Sequence, residues 1–274
     1  MINEILTLLY ERGISVAGAV SLSDCVIKRG YKLERAGLSD FENLTAIIMA
    51  VPYLSPTKCK NLSSYAVSRD YHGYFAQFFD EFLPMLRSKY PNNRFIGFTD
   101  DSPIIETDAA AKAGLGVIGE NHMLITEKYS SYVFLGEIIT DVHADISPSP
   151  VLHCHGCGAC KKACPESKYG VCLSALTQKK GELSQEEQEA ILSHGSVWGC
   201  DICQEVCPYT KKAIKAGTIY TDIDSFKKEL IPILTLEDID KMSDTEFSQR
   251  AYSWRGKAVI SRNLTLIENS KKSD

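Results

Sequence analysis

The sequence predicts an α+β protein: an N-terminal α/β domain over residues 1–145, a cysteine-rich module over 146–215, and a helical C-terminal tail over 216–274. Three observations carry this reading. Up to residue 140, short apolar runs rich in Ile and Val alternate with stretches of helical periodicity, the pattern of a sheet covered by helices. Eight of the ten cysteines fall between Cys154 and Cys207. Beyond them the chain is charged, with helical spacing broken at Pro232 and a polar end, NSKKSD.

The elements follow in order. Ile5, Leu8 and Leu9 begin an amphipathic helix that stops at Gly13, and the strand-like ISVAGAV comes next. The run LTAIIMAVPY (residues 44–53) is apolar enough for a strand buried on both faces. Between Tyr71 and Tyr90, residues Tyr74, Phe75, Phe78, Phe79, Phe82 and Leu86 recur at helical spacing, a stripe most simply read as core. Arg94–Thr99 reads as a strand, Ile105–Ala113 as a short Ala-rich helix, and YVFLGEIIT (residues 132–140) as the strand that closes the domain. Pro and Ser cluster at Ile146–Pro150, which suits a linker.

Bulk properties narrow the class. A chain of 274 residues can bury two cores. Its net charge of −5 argues against a nonspecific polyanion binder, though a local basic patch is compatible with it. No apolar run reaches the roughly 18 residues of a membrane span. The start, MINEILTLLYERG, lacks the basic-then-apolar layout of a signal peptide. The expectation is a cytoplasmic protein without a membrane partner, in which clustered thiols are metal ligands rather than disulfides.

The first cysteine run is Cys154-x2-Cys157-x2-Cys160-x3-Cys164-Pro165. It matches two-cluster ferredoxins, in which three cysteines hold one [4Fe–4S] cluster and the fourth crosses to the other. The second run, Cys200-x2-Cys203-x3-Cys207-Pro208, lacks its first cysteine, because Val197 stands there. Cys172 is the one unassigned cysteine nearby. The crossover rule then gives cluster I as Cys154, Cys157, Cys160 and Cys207, and cluster II as Cys164, Cys172, Cys200 and Cys203. Zinc sites or disulfides are the other readings, but neither explains the x3-Cys-Pro endings. Cys25 and Cys59 stand alone and read as small buried hydrophobes.

Gly114-Leu-Gly116-Val-Ile-Gly119 matches the dinucleotide fingerprint GxGxxG. That fingerprint needs a strand before it and a helix after it, whereas the preceding ETDAAAKA reads as helix. The glycines therefore mark tight turns and close backbone approach, toward a flat cofactor or toward a neighbouring strand.

Several motifs together resemble one family. TAIIMAVPY, YAVSRDYH (Tyr65–His72), Asp100-Asp-Ser-Pro103-Ile-Ile-Glu106, AGLGVIGEN (Ala113–Asn121), SYVFLGEIIT, both cysteine runs with GCDICQEVCP, and SWRGKAVISRN (Ser253–Asn263) occur in the order of the epoxyqueuosine reductases. The resemblance implies an N-terminal cobalamin-binding α/β domain followed by a two-cluster ferredoxin-like module. It implies reduction of epoxyqueuosine to queuosine in tRNA, with cobalt as the reactive centre and electrons from an external low-potential donor through the clusters. It also implies a monomer. Asp100, which opens D-x-x-P-x-x-E, corresponds to the family's proton donor; read alone, it would be a turn or helix-cap residue. Arg69, Tyr71 and His72 lie in the family's active-site region, and Gly114, Gly116 and Asn121 in its corrinoid-binding stretch.

Three departures stand out. Glu120 replaces a common lysine, the Cys164–Cys172 loop is short, and the chain stops after SRNLTLIE, where longer members continue into helical repeats. Without those repeats, RNA contacts would fall to Lys211, Lys212, Lys215, Arg255, Lys257 and Arg262, which otherwise simply solvate a helical tail. The alternatives are a corrinoid-dependent reductase of a small molecule and a ferredoxin-like electron carrier.

Overall fold

The computed structural model describes residues 1–273, and of 271–273 the backbone alone. The chain forms two compact units, Met1–Pro52 with His72–Gly156, and Tyr53–Tyr71 with Cys157–Asp274. The segment 53–71, which sequence continuity places in the first domain, thus packs with the cysteine-bearing unit.

In the first unit the elements run α1 (Ile2–Glu11), β1 (Ala17–Ser21), α2 (Tyr31–Arg35), β2 (Thr45–Pro52), α3 (Tyr71–Lys89, whose first residue falls in the other unit), β3 (Phe95–Phe98), α4 (Glu106–Lys112), β4 (Val117–Ile118), β5 (Leu124–Ile125) and β6 (Val133–Thr140). The main sheet has the order β1-β2-β6-β3, and β4 pairs with β5. Every pairing between these strands is antiparallel, so among the described residues the unit is a mixed α and β fold without the parallel sheet that an α/β reading implies. The unbroken apolar run in β2 arises instead because helices cover both faces of an antiparallel sheet.

One face meets α3. At Gly136 and Gly97 a Cβ atom would sit 2.2 Å from the Phe75 ring and 2.5 Å from the Phe79 ring. Glycine there lets the aromatic stripe lie directly on the strands. The other face meets α4, whose Ala109, Ala110 and Ala111 join Val20, Ile48 and Ile139 in one core. Small residues on α4 allow this close approach.

The second unit is helical: α5 (Ala159–Ala163), α6 (Glu166–Tyr169), α7 (Leu173–Thr177), α8 (Gln185–His194), α9 (Ile202–Glu205), α10 (Pro208–Ala216), α11 (Leu236–Lys241), α12 (Asp244–Ser248) and α13 (Lys257–Ser273). Capping boxes start α8, α11 and α12, with Ser184, Thr235 and Ser243 accepting from the third residue of each helix. The C-terminal helices are core rather than a solvated tail: Ile239, Phe247, Tyr252, Val259, Ile260 and Leu264 pack with Trp198 and Leu62. Among the described residues no helix is long and apolar enough to cross a membrane.

Candidate functional site

All ten cysteines are free thiols, which removes the disulfide reading. Cys172, Cys207 and the Cys164–Pro165 step each sit at the start of a short helix, α7, α10 and α6 respectively. Pro208, at the first position of α10, forgoes a donor that the helix does not use. Helix α5, carrying Cys160, packs against α9, carrying Cys203. Burial pushes the Cys200 thiol up to about 11, and the charges of Cys203 and Cys172 act on it in the same direction. Cys172, Cys200 and Cys203 therefore lie close enough to feel one another, which fits Cys172 as the residue that replaces the cysteine missing at Val197. Among the described residues no three Cys, His, Asp or Glu side chains converge on a single-ion site. A cubane presents each thiolate with a different iron and so holds its ligands further apart than one ion does. The cysteine-rich donor set is compatible with iron–sulfur clusters.

Asp201, unremarked in the sequence, fixes this region. It is buried and accepts from the Ser63 hydroxyl, from the Ser64 amide at 2.6 Å and from Gln204 Nε2 at 3.1 Å. Asn263, fully buried on α13, donates to the Thr177 and Val197 carbonyls at 2.7 and 2.9 Å. It ties α13 and α7 to the loop that leads into Cys200.

In the first unit, Cys154 donates its amide to the Ile118 carbonyl at 2.9 Å, which anchors the start of the cysteine run to β4. The expected site residue Asp100 lies on the turn between β3 and α4. Asp100 has φ 58, a left-handed conformation uncommon outside glycine. Its amide donates to Glu106 Oε1 at 3.2 Å, and its Oδ2 lies 3.6 Å from His72 Nε2. The Asp100 side chain is 66% exposed. The neighbouring Asp101 is engaged by Arg29 and Lys32, which separates the roles of the two adjacent carboxylates.

Beneath this turn lies an acid that sequence reading passed over. Glu137 sits on β6, opposite Ile48 and Phe98 on its neighbouring strands. It is 0% exposed, and neither carboxyl oxygen has a well-formed hydrogen bond. Burial raises its pKa well above the usual carboxylate value, and the charge of Glu106 adds to this. Glu106 itself is pushed to about 7, chiefly by burial. A lone charge inside the apolar FLGEIIT was the visible signal.

The other expected contacts divide. Arg69 belongs to the second unit and pairs with Glu229 at 2.7 Å. Tyr71 and His72 open α3, Tyr71 half-buried and His72 exposed. Gly114 turns the chain after α4 with φ 79. At Gly116 a Cβ would lie 2.3 Å from the Ile125 carbonyl, so its bareness serves the β4–β5 pairing. Asn121 Oδ1 accepts from the Met123 amide at 3.4 Å. The glycine motif follows helix α4, contains β4 and leads to β5, which removes the dinucleotide fingerprint.

Of the six basic residues, Lys211, Lys212 and Lys215 are exposed on α10. Arg255 stacks 3.8 Å over Trp254. Lys257 is held by Asp244 at 2.8 Å, and Arg262 donates to the Lys179 carbonyl at 2.8 Å. The last two serve the fold. Cys25 is buried against the first unit's core with its thiol raised to about 12, and the half-buried Cys59 bonds to Ser64.

No family model matches the chain. The epoxyqueuosine reductase of Listeria monocytogenes is 28% identical over 97% of the chain and 79% of its own length. That of Lactococcus garvieae is 29% identical over 84% and 69% respectively, and that of Gloeobacter violaceus 32% over 69% and 61%. Among solved structures, epoxyqueuosine reductase from Streptococcus thermophilus matches with a TM-score of 0.74 at 26% identity, covering 97% of this chain and 80% of that one. A crystal structure of epoxyqueuosine reductase with an epoxyqueuosine-modified tRNA-Tyr stem loop matches with a TM-score of 0.72 at 25% identity.

Proposed function

We infer that this chain, a homologue of the epoxyqueuosine reductases over most of its length, is an oxidoreductase that reduces epoxyqueuosine to queuosine in tRNA. The observation that carries this is the match in fold over 97% of the chain, which takes in both the acid turn and the cysteine module. Removing an epoxide oxygen as water consumes two electrons and two protons and leaves a carbon–carbon double bond. When bound, cobalamin would supply the reactive cobalt, and two [4Fe–4S] clusters would deliver electrons singly from an external low-potential donor.

The chain's own residues would do the rest. Cys154, Cys157, Cys160 and Cys207 would hold one cluster, and Cys164, Cys172, Cys200 and Cys203 the other. Asp100 would protonate the departing oxygen, because the alkoxide formed on ring opening is a poor leaving group until a proton reaches it. His72, 3.6 Å from that carboxyl, would orient it. Arg69, Tyr71, Gly114, Gly116 and Asn121 would border the corrinoid and substrate. A monomer in a reducing, cytoplasmic compartment suits ten unpaired thiols.

The experiment is a titration of anaerobically reconstituted protein with cob(II)alamin, followed by electron paramagnetic resonance. A changed cobalt signal at one corrinoid per chain supports the reductase. An unchanged signal at saturating protein removes the corrinoid and leaves an electron carrier. If cobalamin binds and epoxyqueuosine RNA is untouched, a small-molecule corrinoid reductase takes its place.

A further inference from the structure

The turn that carries Asp100 rests on two carboxyl groups that a structural role alone does not explain. Glu106 opens α4, where an acid in the first turn suits the helix dipole. That accounts for one carboxylate. It does not account for a second, Glu137, placed behind it on β6 with 0% exposure and no well-formed hydrogen bond. An ionised carboxylate in that position would bear a large desolvation cost with no cation paired to it.

We propose that Glu106 is a positioning residue for Asp100: its carboxylate holds the amide of the left-handed Asp100 turn, and the carboxyl of Glu137, carrying a proton, holds Glu106 from behind. The contact to Asp100 is the 3.2 Å hydrogen bond from its amide to Glu106 Oε1. This bond matters because Asp100 occupies φ 58 without being glycine, a conformation that its neighbours help to hold. A proton on Glu137 supplies the donor that Glu106 needs and removes the like charge behind it. The directions agree: burial raises both acids, and the presence of each beside the other raises Glu137 and lowers Glu106. Glu137 is thus the donor and Glu106 the ionised acceptor.

The charges facing the pair come from three segments. Lys28 acts on Glu106 and Lys32 on Glu137, both lowering them, while Asp100 raises Glu106. The Cys25 thiol, with Asp24, Asp108 and Lys112, shares the Glu137 side of α4. Strands β1, β2 and β3 carry no titratable side chain. Neither lysine makes an ion pair with Glu137 among the described contacts, since Lys32 is spent on Asp101. As pH rises and the Glu137 proton leaves, two adjacent carboxylates repel and Glu106 withdraws from the Asp100 amide.

The proposal rests on Asp100 as the acid of the proposed reaction, and its test separates the two. Infrared spectroscopy of the folded protein, with no substrate present, should show a protonated-carboxyl C=O band near neutral pH. The band should vanish in Glu137→Gln and titrate at lower pH in Glu106→Gln, which keeps a neutral acceptor. In turnover of epoxyqueuosine stem-loop RNA, Glu106→Ala should lower kcat about 10²-fold with KM little changed, as a misplaced acid does. Glu106→Gln should recover most of that loss, and Glu137→Gln should remove the alkaline limb of the kcat profile that belongs to the pair. A wild-type protein without the band, or a Glu137→Gln variant that retains it, overturns the pair. A band with these properties in a protein that leaves the RNA unreduced upholds the pair and rejects the reaction instead.

Discussion

Asp100 and Asp101 are adjacent and chemically identical, yet their surroundings divide them. Asp101 is clamped by Arg29 and Lys32, whereas Asp100 faces His72 on an exposed turn. Replacing Asp100 by Asn keeps size and hydrogen bonding and removes the titrating proton. Turnover should fall by about 10²–10⁴-fold while iron content and cobalamin binding stay at wild-type levels. A rate within twofold of wild type would move the acid elsewhere. Cys172 is the other residue on which an assignment hinges. Intact protein should carry about eight iron and eight sulfide. Cys172→Ala should lose iron from the cluster it shares with Cys164, Cys200 and Cys203 and keep the other. Unchanged iron would mean that another residue completes the set.

At the scale of elements, two arrangements carry the site. Asn263 binds α13 and α7 to the loop before Cys200 through two buried carbonyls. Asn263→Leu strands both acceptors and should lower stability by about 1–3 kcal/mol, measured by denaturant titration. Strand β6 and helix α4 hold the Glu137–Glu106 pair. Both acids are raised above their unfolded value of 4.5, Glu106 to about 7 and Glu137 in the same direction, so above 4.5 the folded state binds more protons than the unfolded one. Stability from this pair is therefore present below pH 4.5 and is lost as pH rises toward 7. Melting temperatures across that window should fall in wild type and flatten in Glu137→Gln; parallel curves would show that the pair does not titrate there. These elements also show what a sequence makes legible. The run in β2 and the stripe on α3 were readable because burial repeats with the period of the element. Strand direction was not, since a strand covered on both faces looks alike in parallel and antiparallel sheets. The cysteine spacings were readable because cluster geometry acts over a few residues. Asp201 and Asn263 were not, because their partners lie 137–138 and 66–86 residues away.

For the whole molecule, the C-terminal helices that look like a solvated tail form the core of the second unit, and they bind up part of the expected basic surface. Lys257 and Arg262 are committed to Asp244 and to backbone carbonyls, which leaves, of the six expected residues, the exposed α10 lysines and Arg255. Binding of RNA through so few cations should be weak at physiological salt and strengthen as salt is lowered. The central claim is that this chain reduces epoxyqueuosine in RNA. It is tested most directly by giving protein loaded with iron, sulfide and cobalamin an epoxyqueuosine stem loop and a low-potential reductant at low salt, and weighing the nucleoside afterwards. The account predicts the loss of one oxygen atom from the modified base, dependent on cobalamin and on Asp100. Fully loaded protein that leaves the nucleoside mass unchanged would contradict it.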